Sequence, residues 1–478
     1  MNYRMIKYTL GWVMLFEACF FAVPTVCAAV YGEKEIFAFL ISAAICAAVA
    51  LLLFIGKPKS RELYAREGFV IVAMCWIFLS LFGALPFMLS GVTTSYIDAL
   101  FETASGFSTT GASIFSAVEE LPRSINMWRC FTHWVGGMGV LVFIMAFLPL
   151  SGGRNMHLMK AESPGPSVSK LVPKVRTTAL ILYLIYFVLT ALQFVLLLCG
   201  GMSVYDAICT AFGTAGTGGF GIKNDSIASY SPYLQIVVTV FMLLFSLNFN
   251  AYFFLIKGRI RDVFSSEIRA FLCIVAASIG IITVSIRGMY GSIGEALRHA
   301  AFNVASIIST TGFSTTDFAA WPTVACIILV LLMFIGACAG STGGGMKVSR
   351  FIILIKGARK ELKSMIHPRR VQKVKVDSRE VEPEVVRSVN AYIAVYVIVL
   401  ATTTLLISFD CNDVVTAFTS VAATLNNIGP GLSGVGPTQN FAFFSVPSKL
   451  ILIFNMIAGR LELIPMLILF SPATWKNK

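Results

Sequence analysis

The sequence is poor in charge, in histidine and in paired cysteines. Asp, Glu, Lys and Arg make up 13% of 478 residues, against 57% hydrophobic residues and a mean hydropathy of +0.81. So little charge cannot cover a water-facing surface, which excludes a soluble globular protein and leaves a polytopic membrane protein. Histidine occurs four times, at His133, His157, His299 and His367, never at metal-ligand spacing, so no protein-held metal centre is expected. The 11 cysteines include no CxxC, and all except Cys411 lie within or beside apolar segments. They read as small buried hydrophobes rather than as a disulfide framework.

Nucleotide and catalytic signatures are also missing. Gly216-Thr217-Gly218-Gly219-Phe220-Gly221 and Gly429-Pro430-Gly431-Leu432-Ser433-Gly434 fit GxGxxG, but neither follows a soluble strand and no acidic residue lies about 20 positions beyond the first. The run from Gly340 to Lys347 imitates a phosphate loop, yet Lys347 does not directly follow Gly345 and Val348 stands where Ser or Thr is needed. The acids Asp98, Glu102 and Asp206 have no histidine at a spacing that suggests a catalytic triad. No enzyme activity and no cofactor are therefore expected. A multi-span membrane enzyme would need a convergent nucleophile and base on one face.

What is present is uncharged length. Runs able to cross about 30 Å of hydrocarbon cover 36–55, 68–90, 177–200, 231–256 and 390–409. Shorter or slightly impure ones cover 9–31 (with Glu17), 124–150 (with Arg129), 270–286, 321–351 and 444–470, giving about ten spans. The first lacks the short apolar core and cleavage site of a removable signal peptide and is read as a mature helix. With the intervening loops placed on alternate sides, most of the 37 lysines and arginines fall on the side of both termini. Both termini are accordingly expected in the cytoplasm, and the net charge of +13 is a topology signal, with no nucleic-acid partner implied. The basic stretch 356–387 either docks a partner or lies solvated near anionic membrane lipid.

The chain writes one turn four times: Ser108-Thr109-Thr110-Gly111, Gly216-Thr217-Gly218-Gly219, Ser309-Thr310-Thr311-Gly312 and Asn426-Asn427-Ile428-Gly429. Thirteen residues before each glycine stand Asp98, Asp206, His299 and Thr416, each followed by alanine. The interval suits a half-length helix of about three turns. All four turns lie on the outer side, between an outward and an inward span. The fold class is thus an all-α polytopic membrane protein of four parallel repeats, each helix, half-helix, turn, helix, around a pseudo-fourfold axis. Expected boundaries are a hairpin at 1–67 and repeats at 68–176, 177–269, 270–389 and 390–478. Irregular backbone at membrane depth survives only inside protein or beside water, a condition met by four turns lining a pore. Glycine lets carbonyls face inward, and such oxygens can replace the hydration shell of an alkali cation. Asp98, Glu102 and Asp206 are expected to favour helix starts or draw cations to the mouth.

Together with these turns, Phe131-Thr132-His133-Trp134-Val135-Gly136-Gly137-Met138-Gly139 and Gly459-Arg460-Leu461-Glu462 resemble the Trk/Ktr/HKT superfamily of cation transporters, most closely its bacterial Trk-type potassium uptake membrane subunit. The resemblance covers essentially the whole chain. It implies a potassium filter at Thr109, Thr110, Gly111, Thr217, Gly218, Gly219, Thr310, Thr311, Gly312, Asn427, Ile428 and Gly429. Some sodium-favouring relatives carry serine at the first glycine, so Gly111 argues for potassium. It further implies a homodimer with one pore per chain and a cytoplasmic nucleotide-binding regulatory subunit of the Trk/Ktr kind. Coupling to sodium or protons remains open, although no uncompensated intramembrane acid marks a proton relay.

Two features suggest a gate. Segment 321–351 is interrupted by Gly336, Gly340, Gly343, Gly344 and Gly345, too many glycines for a stable helix at roughly 1 kcal/mol each. It reads either as a gating loop or as close helix packing. Arg460 lies inside the last span, where a charge faces protein or water. It either bonds carbonyls of the glycine loop and opposes cation passage, or snorkels to the cytoplasmic interface. Glu462, two residues on, sits on another helix face.

Overall fold

The computed structural model describes residues 1–56, 65–139, 175–367, 373–377 and 379–475. His157, the second half of segment 124–150 and parts of the basic loops lie outside the described residues.

The chain is helical wherever it is apolar, because a backbone in hydrocarbon must satisfy its own N–H and C=O groups. An amino-terminal hairpin comes first: α1 (Tyr3–Phe20) and α2 (Ala22–Tyr31) run on through Phe21, and α3 (Ile36–Phe54) returns against α1. A long helix, a short one and a second helix then recur. The first set is α4 (Ala65–Gly83), extended by α5 (Leu85–Leu89), then α6 (Tyr96–Phe107) and α7 (Arg123–Met138). The second is α8 (Val175–Cys199), α9 (Val204–Ala215), α10 (Pro232–Ser246) and α11 (Phe249–Ile256). The third is α12 (Ser266–Ile286), α13 (Ile293–Ile308), α14 (Thr323–Ile335) and α15 (Val348–Ile366). The fourth is α16 (Pro383–Ile407), α17 (Val414–Leu425), α18 (Val446–Arg460) and α19 (Ile464–Phe470). One small antiparallel hairpin, Lys375–Val376 with Arg379–Glu380, follows α15.

The all-α membrane fold expected from the sequence is borne out. Leu184, Phe187 and Val188 on α8, and Phe37, Leu40 and Ile41 on α3, are exposed, as on a lipid-facing surface. Six helical stretches are long and apolar enough to cross a membrane, and a seventh is the α10–α11 pair, bent by 91°. The other three expected spans contain α7, α14 and α18; α14 and α18 are shorter because each ends at a break, and α7 ends at Gly139, beside residues outside those described.

The short helices begin alike. Ser95, Ser203, Ser292 and Asp413 each accept a hydrogen bond from the backbone N–H three residues on, at 3.3, 3.1, 3.1 and 2.9 Å. Asp98, Asp206 and Glu295 stand at that third position, an acidic first turn that suits the helix dipole. The thirteen-residue count therefore marks the first turn in three repeats and misses it in the third. There α13 has 16 residues where its counterparts have 12, so His299 lies one turn inside the helix.

Candidate ion pathway

Each short helix ends in the same strained turn. Thr109, Thr217, Thr310 and Asn427 all take a left-handed backbone, with φ of 58°, 53°, 61° and 55°. Behind them the N–H groups of Thr110, Gly218, Thr311 and Ile428 bond back to Ser105, Gly213, Ser306 and Ala423, at 2.9, 2.9, 2.9 and 2.8 Å. This is the Schellman closure of a helix C-terminus. Glycine or asparagine normally holds its left-handed position, whereas a β-branched threonine there is an outlier costing of order 1–3 kcal/mol. Three such threonines, all buried, mark a place where packing overrides local preference.

Two residues past each strained position comes the glycine: Gly111, Gly219, Gly312 and Gly429, with φ of 79°, 80°, 84° and 94°. The glycines also have no room for a side chain. A Cβ on Gly111 would overlap the Gly218 carbonyl oxygen, one on Gly219 that of Thr311, and one on Gly312 that of Ile428; one on Gly429 would crowd that of Thr110. Each turn thus abuts the next, first to second, second to third, third to fourth and fourth to first. The twelve residues expected at the filter form one closed ring of four turns. Four helix C-termini, each with partial negative charge, converge on it.

On one side of the ring lies a cavity of about 150 Å³ reached by Gly111, Gly219, Gly312 and Gly429. On the other lies a cavity of about 80 Å³ lined by Gly340, Gly343, Gly344, Gly345, Lys347 and Arg460 among others. The glycine-rich segment therefore sits against the ring. It leaves α14 at Gly336, whose φ is 70°, and re-enters helix at Val348. Gly344 N–H donates to Thr310 Oγ1 at 2.6 Å, and Thr342 Oγ1 donates to the Phe245 carbonyl at 3.1 Å. Glu267 Oε1 accepts from Ala339 N–H at 2.7 Å, and Lys347 Nζ donates to the Gly343 carbonyl. Far from loose, the segment is hydrogen-bonded at several points along its length.

Arg460 donates to the Thr342 carbonyl at 2.7 Å and to the carbonyls of Gly136 and Gly137 at 2.5 and 2.7 Å. It joins the glycine-rich segment to the C-terminus of α7, where cations are favoured. Glu462 takes a different partner, Arg350 on α15.

Several residues here escaped the sequence reading. Besides the break expected at Gly336, the chain breaks at Gly139, at Leu247 and Asn248, and at Glu462 and Leu463, the last two with φ of 57° and 66°. Glu102, expected near a mouth, is buried and paired with Arg129 at 2.7 Å. Glu17 is a fully buried acid in α1 whose oxygens bond no described residue, which corrects the expectation of no uncompensated intramembrane acid. It packs beside Gly83, behind α6, and lines neither cavity described above. A carboxyl group inside a predicted span was the signal available for it.

A multi-pass chain whose four short helices aim their C-termini at one closed carbonyl ring is built as a membrane transport protein. Its family follows from similarity along the whole chain: the chain belongs to the TrkH family, described as cation transport proteins, whose model matches residues 33–477. It is 36% identical to the Trk system potassium uptake protein TrkH of Escherichia coli (strain K12), covering 100% of both chains. It is 34% identical to the potassium uptake protein TrkG of the same organism, over 99% of each. The crystal structure of the potassium transporter TrkH from Vibrio parahaemolyticus superposes with a TM-score of 0.90 at 32% identity, covering 100% of both chains. The resemblance noted in the sequence is borne out, and family membership makes the chain a transporter rather than an enzyme.

Proposed function

We propose that the protein takes up potassium by conduction through the ring, which acts as a selectivity filter, with the glycine segment and Arg460 as its closed gate. The observation that carries this reading is the ring itself: four glycines whose side-chain positions are filled by carbonyls of the neighbouring turn. Those carbonyls are oxygen ligands of the kind that replace water around an alkali cation. The gate reading is supported by the contact of Gly344 with Thr310 and by the Arg460 bond to the glycine segment. A fixed positive charge between filter and cytoplasm opposes a passing cation, and the charge withdraws only if that segment moves.

The recurring helix order supports dividing the chain into a hairpin and four repeats near the boundaries given above. The bias of lysine and arginine supports cytoplasmic termini in the cell membrane. A membrane potential of about 100 mV supplies about 2.3 kcal/mol per potassium ion, enough for roughly fiftyfold accumulation without a built-in ATPase. A homodimer and a nucleotide-binding cytoplasmic regulator complete the proposal, supported by the family and by the basic stretch 356–387. Sodium or proton coupling is the second reading, favoured by the buried acid Glu17 but weakened because Glu17 lines neither cavity beside the ring.

Purified protein in liposomes tests the function. Under an imposed potential, potassium and rubidium uptake should exceed sodium uptake, and Gly312→Ser, whose Cβ meets the Ile428 carbonyl oxygen, should lower potassium uptake and erode that preference. Equal uptake of all three ions would remove the potassium claim, and uptake that needs added protons or sodium would establish coupling.

A further inference from the structure

We infer that Arg129, braced by Glu102 and joined by His133, is a positioning residue for ion selectivity: it locks together the segments that follow the first and second turns. The inference rests on the reading of the ring as a filter.

Arg129 and His133 stand four residues apart on α7, so they share a face. Both are buried. Arg129 distributes its donors between two repeats. Nε bonds Glu102 Oε1 on α6 at 2.7 Å, and Nη2 bonds Ser113 Oγ, two residues past Gly111, at 3.2 Å. Nη1 bonds Asn126 Oδ1 at 2.9 Å and the carbonyl of Gly221, two residues past Gly219, at 3.3 Å. The guanidinium lies 4.3 Å from the centre of the Phe220 ring. Glu102 in turn accepts from Ile114 N–H at 3.0 Å and from Ser113 Oγ.

His133 repeats the bracket one turn deeper. Its Nδ1 lies 2.7 Å from the Gly106 carbonyl, which can only accept, so Nδ1 carries the proton. Its Nε2 then accepts from Phe220 N–H at 3.1 Å. One helix of the first repeat therefore grips the last turn of α6, the segment after Gly111 and the segment after Gly219. Other seams use different means. Between second and third turns, Ile227 N–H bonds the Ser314 carbonyl at 3.1 Å; between fourth and first, Phe441 N–H bonds the Ser113 carbonyl at 2.9 Å.

A buried ion pair adds little net stability over an apolar pair of similar volume. What this pair adds is geometry, since the planar five-donor fork of arginine holds several acceptors at once, which lysine cannot do. The fork spans the seam where the Gly218 carbonyl meets Gly111. It thereby sets the ring's aperture on that side, and a loosened aperture lets the smaller sodium ion be coordinated.

The test measures rubidium and sodium uptake side by side in liposomes for wild type, Arg129→Lys, Ser113→Ala and Gly312→Ser, with folding checked by size exclusion and thermal unfolding. The rubidium-to-sodium ratio should fall about tenfold in Arg129→Lys and about two- to threefold in Ser113→Ala, where the bonds of Ser113 Oγ to Arg129 and to Glu102 are lost. If Arg129→Lys does not fold, Ser113→Ala decides with Glu102→Asp, because both keep the guanidinium in place. An unchanged ratio in these variants, while Gly312→Ser lowers it, overturns the positioning role and leaves the filter standing. A wild type without rubidium preference, or Gly312→Ser without effect, overturns the filter reading and this inference with it.

Discussion

Replacing Arg460 by alanine should raise basal potassium flux by about ten- to a hundredfold. Three hydrogen bonds to carbonyls depend on this guanidinium, one of them to Thr342 in the glycine segment. Hydrogen bonds to a charged group contribute about 1.5–3 kcal/mol each, and about 1.4 kcal/mol corresponds to a factor of ten in rate. Losing the bond to Thr342 is therefore worth at least a tenfold gain in the open population, before the removed charge is counted. Arg460→Lys should give a smaller rise, since it keeps the charge but cannot serve three carbonyls at once. Because Arg460 also caps α7, the alanine variant should unfold at lower temperature. Uptake into liposomes without any regulatory partner checks both variants. An Arg460→Ala flux equal to wild type would remove the barrier role.

A single methyl group on the ring should be as damaging as the loss of the gate residue is activating. Gly111→Ala puts a Cβ into the Gly218 carbonyl oxygen at a backbone φ of 79°, and Gly219→Ala does the same to Thr311. Backbone carbonyls cannot swing aside as a flexible side chain can, so the ring must open or shift. Potassium uptake should fall more than about a hundredfold, the equivalent of about 2.7 kcal/mol at the barrier. Gly32→Ala is the control. Its φ of 68° carries the same left-handed penalty of roughly 1–2 kcal/mol, but no atom lies within 4 Å of the added Cβ. It should lower stability and leave uptake intact. If the ring and control variants lose uptake equally, backbone strain rather than ring closure explains the effect.

The ring and its helices were legible because their determinants are local. A glycine at fixed distance from a capped helix start is a pattern of neighbours in sequence, and it recurs. Reading the third repeat went astray by one turn because alanine follows both Glu295's helix register and His299, and the count alone cannot tell a 16-residue helix from a 12-residue one. The break at Leu247 and Asn248 was invisible for a different reason. Segment 231–256 is uncharged throughout and long enough to span as a straight helix. It bends because Ser246 and Phe249 bond the glycine segment, Cys338 N–H to the Ser246 carbonyl at 3.1 Å and Phe249 N–H to the Gly340 carbonyl at 3.0 Å. Asn248 then caps the new helix through Asn250 N–H at 2.9 Å.

Charged residues divided the same way. Arg460 was conspicuous as a lone charge in an apolar span, and the carbonyls it binds include one in the segment expected to meet it. Glu102 and Arg129 lie 27 positions apart, so their pairing is a fact of tertiary packing. Glu462 finds Arg350, 112 positions away, for the same reason.

The most direct test of the central claim is anomalous diffraction from crystals of the protein grown in rubidium. The account predicts rubidium density on the axis of the ring, within bonding distance of the carbonyl oxygens of Thr110, Gly218, Thr311 and Ile428, and its loss in Gly111→Ala. Rubidium bound elsewhere in the molecule, with none at the ring, would contradict it.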